Sequence, residues 1–253
     1  PDHVKSELSN SEFNSISEIF KHASEKFSDL VAFNNLGTNL SFRRTALLAD
    51  KFSAYLFNVL KIKKGDKVAI MLPNLLTFPI SFFGSINIGA TVVNVNPLFK
   101  SREVKILLTD SNVETIVILD KFLHELESVL GETKIKNVIV CRPFDLLNIP
   151  MNLIVRTLLF FKTKSHKINS NYILFSDIVR SKEKNPSVSL SGNDIALLQY
   201  TGGTTGKSKA AILTHSNLVS NVEQLQLWVD NILSEGQETI ITALPMYHIF
   251  SLT

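Results

Sequence analysis

The chain has 253 residues, 45% of them apolar and 19% charged, with a net charge of +3. At roughly 100–200 residues per domain that is one large domain or two small ones, and the composition excludes a disordered or fibrous chain. So small a charge surplus does not argue for nucleic acid, and the single cysteine, Cys141, cannot close an internal disulfide; with no Cys/His cluster at zinc spacing, a reducing, cytoplasmic setting is expected.

The sequence starts at Pro1 without a basic-then-apolar signal segment and stops at Thr253 straight after an apolar run, so a piece of a longer protein is expected. Ser15 and Glu18 have capping-box spacing, and Ile16, Ile19, Phe20, Ala23 and Phe27 then form an apolar helical stripe. Leu48, Phe52, Tyr55, Leu56 and Val59 form a second. After the turn Lys64-Gly65-Asp66, the run Val68–Leu72 is continuously apolar, as a parallel strand is when both its faces are buried. Similar runs recur at Ala90–Val95, Thr115–Leu119 and Asn137–Cys141, separated by helical patterns around Glu103–Leu108 and Phe122–Leu130. This alternation predicts an α/β fold, doubly wound, with mainly parallel sheets flanked by helices. Residues 1–190 read as a first α/β subdomain and 191–253 as the start of a second.

Two stretches raise the question of a membrane. Between Lys67 and Lys100 there is no charge, but Pro73, Pro79 and the asparagines 74, 87, 94 and 96 break the run, and Thr77, Ser81 and Ser85 recur every fourth residue. A buried helix followed by a buried strand is the better reading. From Leu146 to Ile168 the chain is apolar on nearly every helical face, with Met151, Leu153, Ile154, Val155, Leu158, Leu159, Phe160 and Phe161, and it ends in Lys162, Lys164 and Lys167. That composition suits a segment lying on an anionic membrane surface, but its short length and weak amphipathicity make a core helix with a solvated basic end the simpler reading.

The chemistry concentrates near the C-terminal end. Ile195–Tyr200 reads as a strand and runs into Thr201-Gly202-Gly203-Thr204-Thr205-Gly206-Lys207-Ser208-Lys209. The chain has only ten glycines, about 4% where about 7% is usual, yet three fall within these nine positions. Glycines let backbone N–H groups approach an anion, threonine hydroxyls add donors and lysines add charge, which together make a phosphate cradle. A Walker A loop needs glycine where Thr201 stands, and the dinucleotide fingerprint spacing is absent. Ala210–Leu213 looks like a second strand, so the loop is expected at a hairpin tip. An ordinary Gly/Thr/Ser turn would not explain nine consecutive residues without an apolar side chain or an acid.

The run from Tyr200 to Ala211, continuing Ile-Leu-Thr-His-Ser-Asn-Leu218, resembles the signature phosphate loop of the adenylate-forming (AMP-binding) superfamily. Val68-Ala-Ile-Met-Leu-Pro-Asn74, Gly89–Pro97 and Leu244-Pro-Met-Tyr-His-Ile-Phe250 are similar to successive stations of its long-chain fatty acid–CoA ligase branch. The resemblance implies ATP, Mg²⁺ and coenzyme A: a fatty carboxylate attacks the α-phosphorus of ATP, and the CoA thiol then displaces AMP. It assigns Gly202, Gly203 and Gly206 to the cradle, Thr201, Thr204 and Thr205 to phosphate or metal-linked contacts with Thr201 on the metal, and Lys209 to the β- and γ-phosphates. Ala210 departs from the family's usual glycine after that lysine. His248 falls on the aromatic-rich station and is expected to position the carboxylate or adenylate. His215 reads instead as a cap-region residue ahead of the stripe Leu218, Val222, Leu225, Val229 and Ile232, and the histidines at 3, 22, 124 and 166 as solvent-facing.

Thr242–Thr253 contains no Asp or Glu to pair a substrate ammonium, which favours an acid without an amine. The partners so implied are fatty acid, ATP and CoA, with no nucleic acid, membrane contact through 146–168 at the inner face, and room for a homodimer. The family's later stations, including its C-terminal catalytic lysine, do not occur in these residues, so 1–253 alone is expected not to turn over. A non-catalytic nucleotide-binding, membrane-associated module, or an enzyme for another carboxylic acid, is the alternative.

Overall fold

Short β-branched runs between amphipathic helices leave the chain one way to bury its apolar side chains, which is to stack helices on both faces of a sheet. The structure, a computed structural model, describes residues 11–162, 168–201, 209–229 and 232–252. In chain order the elements are α1 (Ile16–Lys26), β1 (Val31–Asn35), β2 (Thr38–Ser41), α2 (Phe42–Asn58), β3 (Lys67–Met71), α3 (Thr77–Asn87), β4 (Thr91–Asn94), α4 (Ser101–Ser111) and β5 (Thr115–Leu119). There follow α5 (Leu123–Glu127), β6 (Asn137–Cys141), α6 (Ile149–Lys162), β7 (Ile173–Leu174), α7 (Phe175–Ile178), β8 (Ile195–Thr201), β9 (Lys209–Thr214), α8 (His215–Val229) and α9 (Ile249–Leu252). Strands β1 and β2 form a separate antiparallel pair, which the sequence reading did not anticipate.

The main sheet has the order β7-β6-β5-β3-β4-β8-β9, and every pairing in it is parallel except β8 with β9. Its core divides by strand alternation: Val68 and Ile70 pack with Leu48, Phe52 and Ile80 on one face, while Ala69 and Met71 pack with Val104 and Leu107 on the other. This is the doubly wound α/β arrangement expected. Strands β8 and β9 lie beyond residue 190 and extend the same sheet through β4.

Several local expectations shift. Ser15 caps α1 by accepting the Glu18 N–H at 3.2 Å, but the Glu18 carboxylate reaches back to the Asn14 N–H at 2.6 Å instead of to Ser15. The helix expected over Phe122–Leu130 contracts to α5 with a 3₁₀ turn on either side. Val59, placed in the α2 stripe, is exposed just past that helix. Helix α8 buries Leu218 and Val219, whereas Leu225 and Ile232 of the expected stripe face solvent.

The uncharged run after Lys67 is a buried helix and a buried strand, α3 and β4. Its polar stripe is satisfied inside the helix: the Ser81 hydroxyl donates to the Thr77 carbonyl and the Ser85 hydroxyl to the Ser81 carbonyl, each at 2.8 Å. Helix α2 lies close against it because residue 84 is glycine; a Cβ there would come within 2.8 Å of the Phe52 ring. Among the described residues no helix is long and apolar enough to cross a membrane.

Helix α4 is pinned at its start by Glu125, whose carboxylate accepts the Ser101 N–H at 2.8 Å, the Ser101 hydroxyl at 2.7 Å and the Lys100 ammonium at 3.1 Å. These bonds, the Ser101 hydroxyl first and then Lys100, hold the carboxyl down at about 2 against an ordinary 4.5. Because the folded value lies below the unfolded one, the stability it contributes is present above the unfolded value and is lost as pH falls towards 2. Glu125→Gln should lower stability near neutral pH by about 1–3 kcal/mol in urea unfolding, and its deficit against the unsubstituted protein should shrink as the solution is acidified below about pH 5.

Candidate active site

The glycine-rich segment leaves one strand and enters another. Strand β8 pairs with β9 antiparallel, from Ile195 opposite Thr214 to Thr201 opposite Lys209, so the segment bridges a hairpin as its flanking apolar runs predict. Gly202, Gly203, Thr204, Thr205 and Gly206 lie outside the described residues, as do Lys207 and Ser208. Thr201 and Lys209 close the mouth of the hairpin: both are exposed, and the Thr201 hydroxyl donates to the Lys209 carbonyl at 3.5 Å.

The strand leading to the mouth is anchored from the α4 face. The Tyr200 hydroxyl donates to the Asp110 carboxylate, in the last turn of α4, at 2.6 Å. Burial, and then the bond and charge of Asp110, push the Tyr200 phenol well above its ordinary value. Beside this pair an open cavity of about 500 Å³ is lined by Tyr200, Asp110, Lys67 and Lys209 among others, so two ammonium groups border the space next to the hairpin.

His215 is the first residue of α8, as its cap-region reading implies, and its ring is buried. The His215 backbone N–H donates to the Asp194 carbonyl at 3.0 Å, and Asp194 pairs with Lys64 at 2.6 Å. Burial, with Lys64 adding to it and Asp194 opposing it, holds the imidazole below its ordinary value, so the ring is neutral near pH 7. His22 and His124 are exposed as expected, and His3 and His166 lie outside the described residues.

His248 stands exposed on the turn before α9. Its Nδ1 accepts the Phe250 N–H at 3.4 Å, and among the described residues no hydrogen bond joins it to Thr201 or Lys209. What holds its segment is a residue that the sequence reading quoted without assigning a role. Asn74, three residues past β3, donates through Nδ2 to the carbonyls of Thr242 at 3.0 Å and Leu244 at 2.9 Å, and accepts the Met246 N–H at 2.8 Å. A cavity of about 440 Å³ lies here between β1, the start of α3 and residues 238–242. The available signal was position: an amide just beyond the end of a central parallel strand, where doubly wound sheets place their sites.

Residues 20–253 match the AMP-binding enzyme family. The chain belongs to that family. The long-chain-fatty-acid–CoA ligase of Salmonella typhimurium is 39% identical over an alignment of 261 residues that takes in 100% of this chain and 46% of the relative. The corresponding ligase of Haemophilus influenzae is 37% identical over 97% of this chain and 45% of its own length. The chain thus spans about half the length of the curated relatives it matches. A long-chain-fatty-acid-CoA ligase structure from Archaeoglobus fulgidus matches with a TM-score of 0.72 at 24% identity, over 98% of this chain and 46% of that one. The inhibitor-bound N-terminal domain of FACL13 from Mycobacterium tuberculosis gives 0.71 at 21%, over 95% and 53%. Both likenesses concern the fold.

Adenylate-forming ligases use ATP and CoA. Thr201 and Lys209 are register partners at the exposed mouth, and a hydroxyl and an ammonium are groups that suit phosphate oxygens. Among the described residues no group of three or more His, Cys, Asp or Glu side chains gathers to hold a metal; the Thr201 hydroxyl is a hard oxygen donor that would suit Mg²⁺ beside phosphate oxygens. The hairpin's hold on α4 can be tested directly. Tyr200→Phe should lower stability by about 1–2 kcal/mol in chemical unfolding, the net worth of one hydrogen bond to a carboxylate, and Asp110→Asn should do the same without adding to it in the double variant.

Proposed function

We propose that this chain supplies the phosphate-binding part of an ATP-dependent ligase that activates a long-chain fatty acid and transfers it to CoA. The observation that carries the reading is the antiparallel hairpin that sets Thr201 against Lys209 across a Gly/Thr/Ser/Lys loop, in a chain matched along its length by long-chain-fatty-acid–CoA ligases. In the first step a carboxylate oxygen bonds to the α-phosphorus of ATP while the α–β anhydride bond breaks and pyrophosphate leaves. In the second the CoA sulfur bonds to the acyl carbon and AMP departs.

An anion must approach a polyanion, so the chain's task is to neutralise and orient. Lys209 sets its ammonium against the β- and γ-phosphates, Gly202, Gly203 and Gly206 present backbone N–H groups, and Thr204 and Thr205 add hydroxyl donors. Mg²⁺, when bound, neutralises phosphate charge, and Thr201 would hold it. His248, with Nδ1 engaged by the Phe250 N–H, has Nε2 left to donate to the fatty carboxylate or the adenylate. The division at residue 190 belongs to the same proposal: 191–253 opens a second subdomain built outward from the sheet edge.

The whole protein should release pyrophosphate from ATP when given a long-chain fatty acid, and residues 1–253 alone should not. In the whole protein Lys209→Ala should reduce that release by at least tenfold, about 1.4 kcal/mol, and Lys207→Ala by far less. Equal effects would put the loop in a different register, and a whole protein that binds ATP yet activates no carboxylic acid would favour a binding module.

A second reading rests on α6. Ile149, Leu153, Ile154 and Leu158 are all more than half exposed, the first at 87%, although Met151 and Val155 of the same helix pack on the core. Large apolar side chains turned to solvent ahead of Lys162, Lys164 and Lys167 suit an anionic lipid surface, which would bring the protein to the membrane's inner face where a fatty acid partitions. Lys164 and Lys167 lie outside the described residues. Vesicles with about one third anionic lipid should co-sediment the protein, and changing the three lysines to Glu should abolish that binding; unchanged sedimentation would reject the reading.

A further inference from the structure

Residues 239–248 form no helix or strand, so their backbone groups need partners from elsewhere. Asn74 provides three. A side-chain amide carries two donors on one nitrogen and an acceptor oxygen, and all three functions are used on one short stretch: the carbonyls of Thr242 and Leu244 and the N–H of Met246. The residue between the last two is Pro245, which has no N–H of its own, so Asn74 grips the chain on both sides of it. The Leu244 carbonyl is filled by a second donor, the Ser251 hydroxyl at 2.9 Å. The Pro245 carbonyl accepts the His248 N–H at 2.9 Å. Asn74 thus holds the chain on either side of Pro245, and the Pro245 carbonyl in turn holds the His248 backbone N–H.

The Asn74 end of this clamp is rigid. Asn74 follows β3, which is buried and hydrogen-bonded on both sides, by β4 and by β5, and it precedes α3, which is buried along its length. Its own carbonyl accepts the Asn35 side chain at 3.3 Å. Met246 and Tyr247 pack against the core that β3 and α3 share.

We infer that Asn74 is a positioning residue for the acyl-activating step: it fixes the Leu244–His248 turn to the end of the central strand and so sets where the His248 imidazole meets the substrate carboxylate. This rests on the ligase reading and on His248 touching substrate. The hairpin with Lys209 is held separately, through Tyr200 and Asp110, so losing the clamp should disturb the acid and leave ATP alone.

The test uses the whole enzyme with ATP, CoA and a long-chain fatty acid, in four forms: unsubstituted, Asn74→Ala, His248→Ala and the double variant. Asn74→Asp is the isosteric companion, keeping the acceptor while turning an oxygen towards the two carbonyls. Each single Asn74 variant should lower kcat per titrated active site at least tenfold and raise the KM for fatty acid at least threefold, with the KM for ATP within twofold. Adding Asn74→Ala to His248→Ala should cost less than threefold further, since a residue acting through the histidine has little left to disturb. The inference is overturned by full activity in Asn74→Asp, by losses that multiply in the double variant, by a parallel rise in both KM values, or by a kcat per titrated site that stays normal while the folded fraction drops. An unsubstituted enzyme that activates no fatty acid would instead bring down the ligase reading, and this inference with it.

Discussion

The register of β8 against β4 is the constraint on which the site depends. Val92, Val93 and Asn94 pair with Leu197, Leu198 and Gln199, and the pairing is reinforced by the Thr91 hydroxyl on the Ile195 carbonyl at 2.9 Å and by the Asn94 amide on Gln199 at 3.3 Å. A shift of one residue would turn every side chain of β8 to the other face. Leu198 and Tyr200 would then leave the α4 side, and the bond from Tyr200 to Asp110 would be lost. The buried amides of Asn94 and Gln199 make such a slip expensive, because displaced they would stand unpaired in an apolar sheet. Strand β8 thus couples an interior sheet on one side to the exposed β9 on the other, and Thr201 and Lys209 at the hairpin mouth inherit their position from that coupling.

The two faces of the sheet hold different parts of the site. On one, Glu125 ties down the start of α4 and Asp110 in its last turn holds Tyr200, so the hairpin is referred to that helix. On the other, α2 and α3 meet at Gly84, where the Ser53 hydroxyl also donates to the Gly84 carbonyl at 2.8 Å. That contact seats α3, and α3 with β3 brackets Asn74. The hairpin mouth and the turn that carries His248 are therefore anchored independently. That would suit the proposed reaction, in which two anions must be brought together by a frame stiffer than their repulsion.

What could be read from the sequence follows from where the information sits. Val68–Met71, Thr115–Leu119 and Asn137–Cys141 are legible because a strand buried on both faces must be apolar at consecutive positions. The hairpin is legible because a polar nonapeptide between two such runs has no other place to go. The β1–β2 pair is not: Asn34, Asn35 and Asn39 give it little apolar alternation, and its turn places Leu36 at a φ of +48° beside Gly37. Periodicity marks Leu225 and Ile232 as one face of a helix but carries nothing about what lies against that face. The Asn74 clamp is invisible for a plainer reason. Its partners are 168 to 172 residues away, and no local pattern relates an amide to carbonyls at that distance.

Helix α6 is where periodicity fails from excess. An ordinary surface helix keeps one apolar stripe against the core and charges elsewhere, but the sequence from Ile149 to Leu158 offers apolar side chains on nearly every face, which is why it supports both an interior and an interfacial reading. Its apolar side chains divide between two sides of one helix, one packed and one exposed. Met151 and Val155 pack on the core, and Arg156 turns back over the Phe144 ring at 5.3 Å, which Arg142 also approaches at 5.9 Å. Ile149, Leu153, Ile154 and Leu158 point outward. A helix needing only attachment would be served by the first set, and alternatives such as Lys or Glu on the second would add solubility without loss. Among the described residues the outward apolar set stays uncovered, and it is this set, more than the hydrophobicity of the segment as a whole, that supports the interfacial reading proposed above.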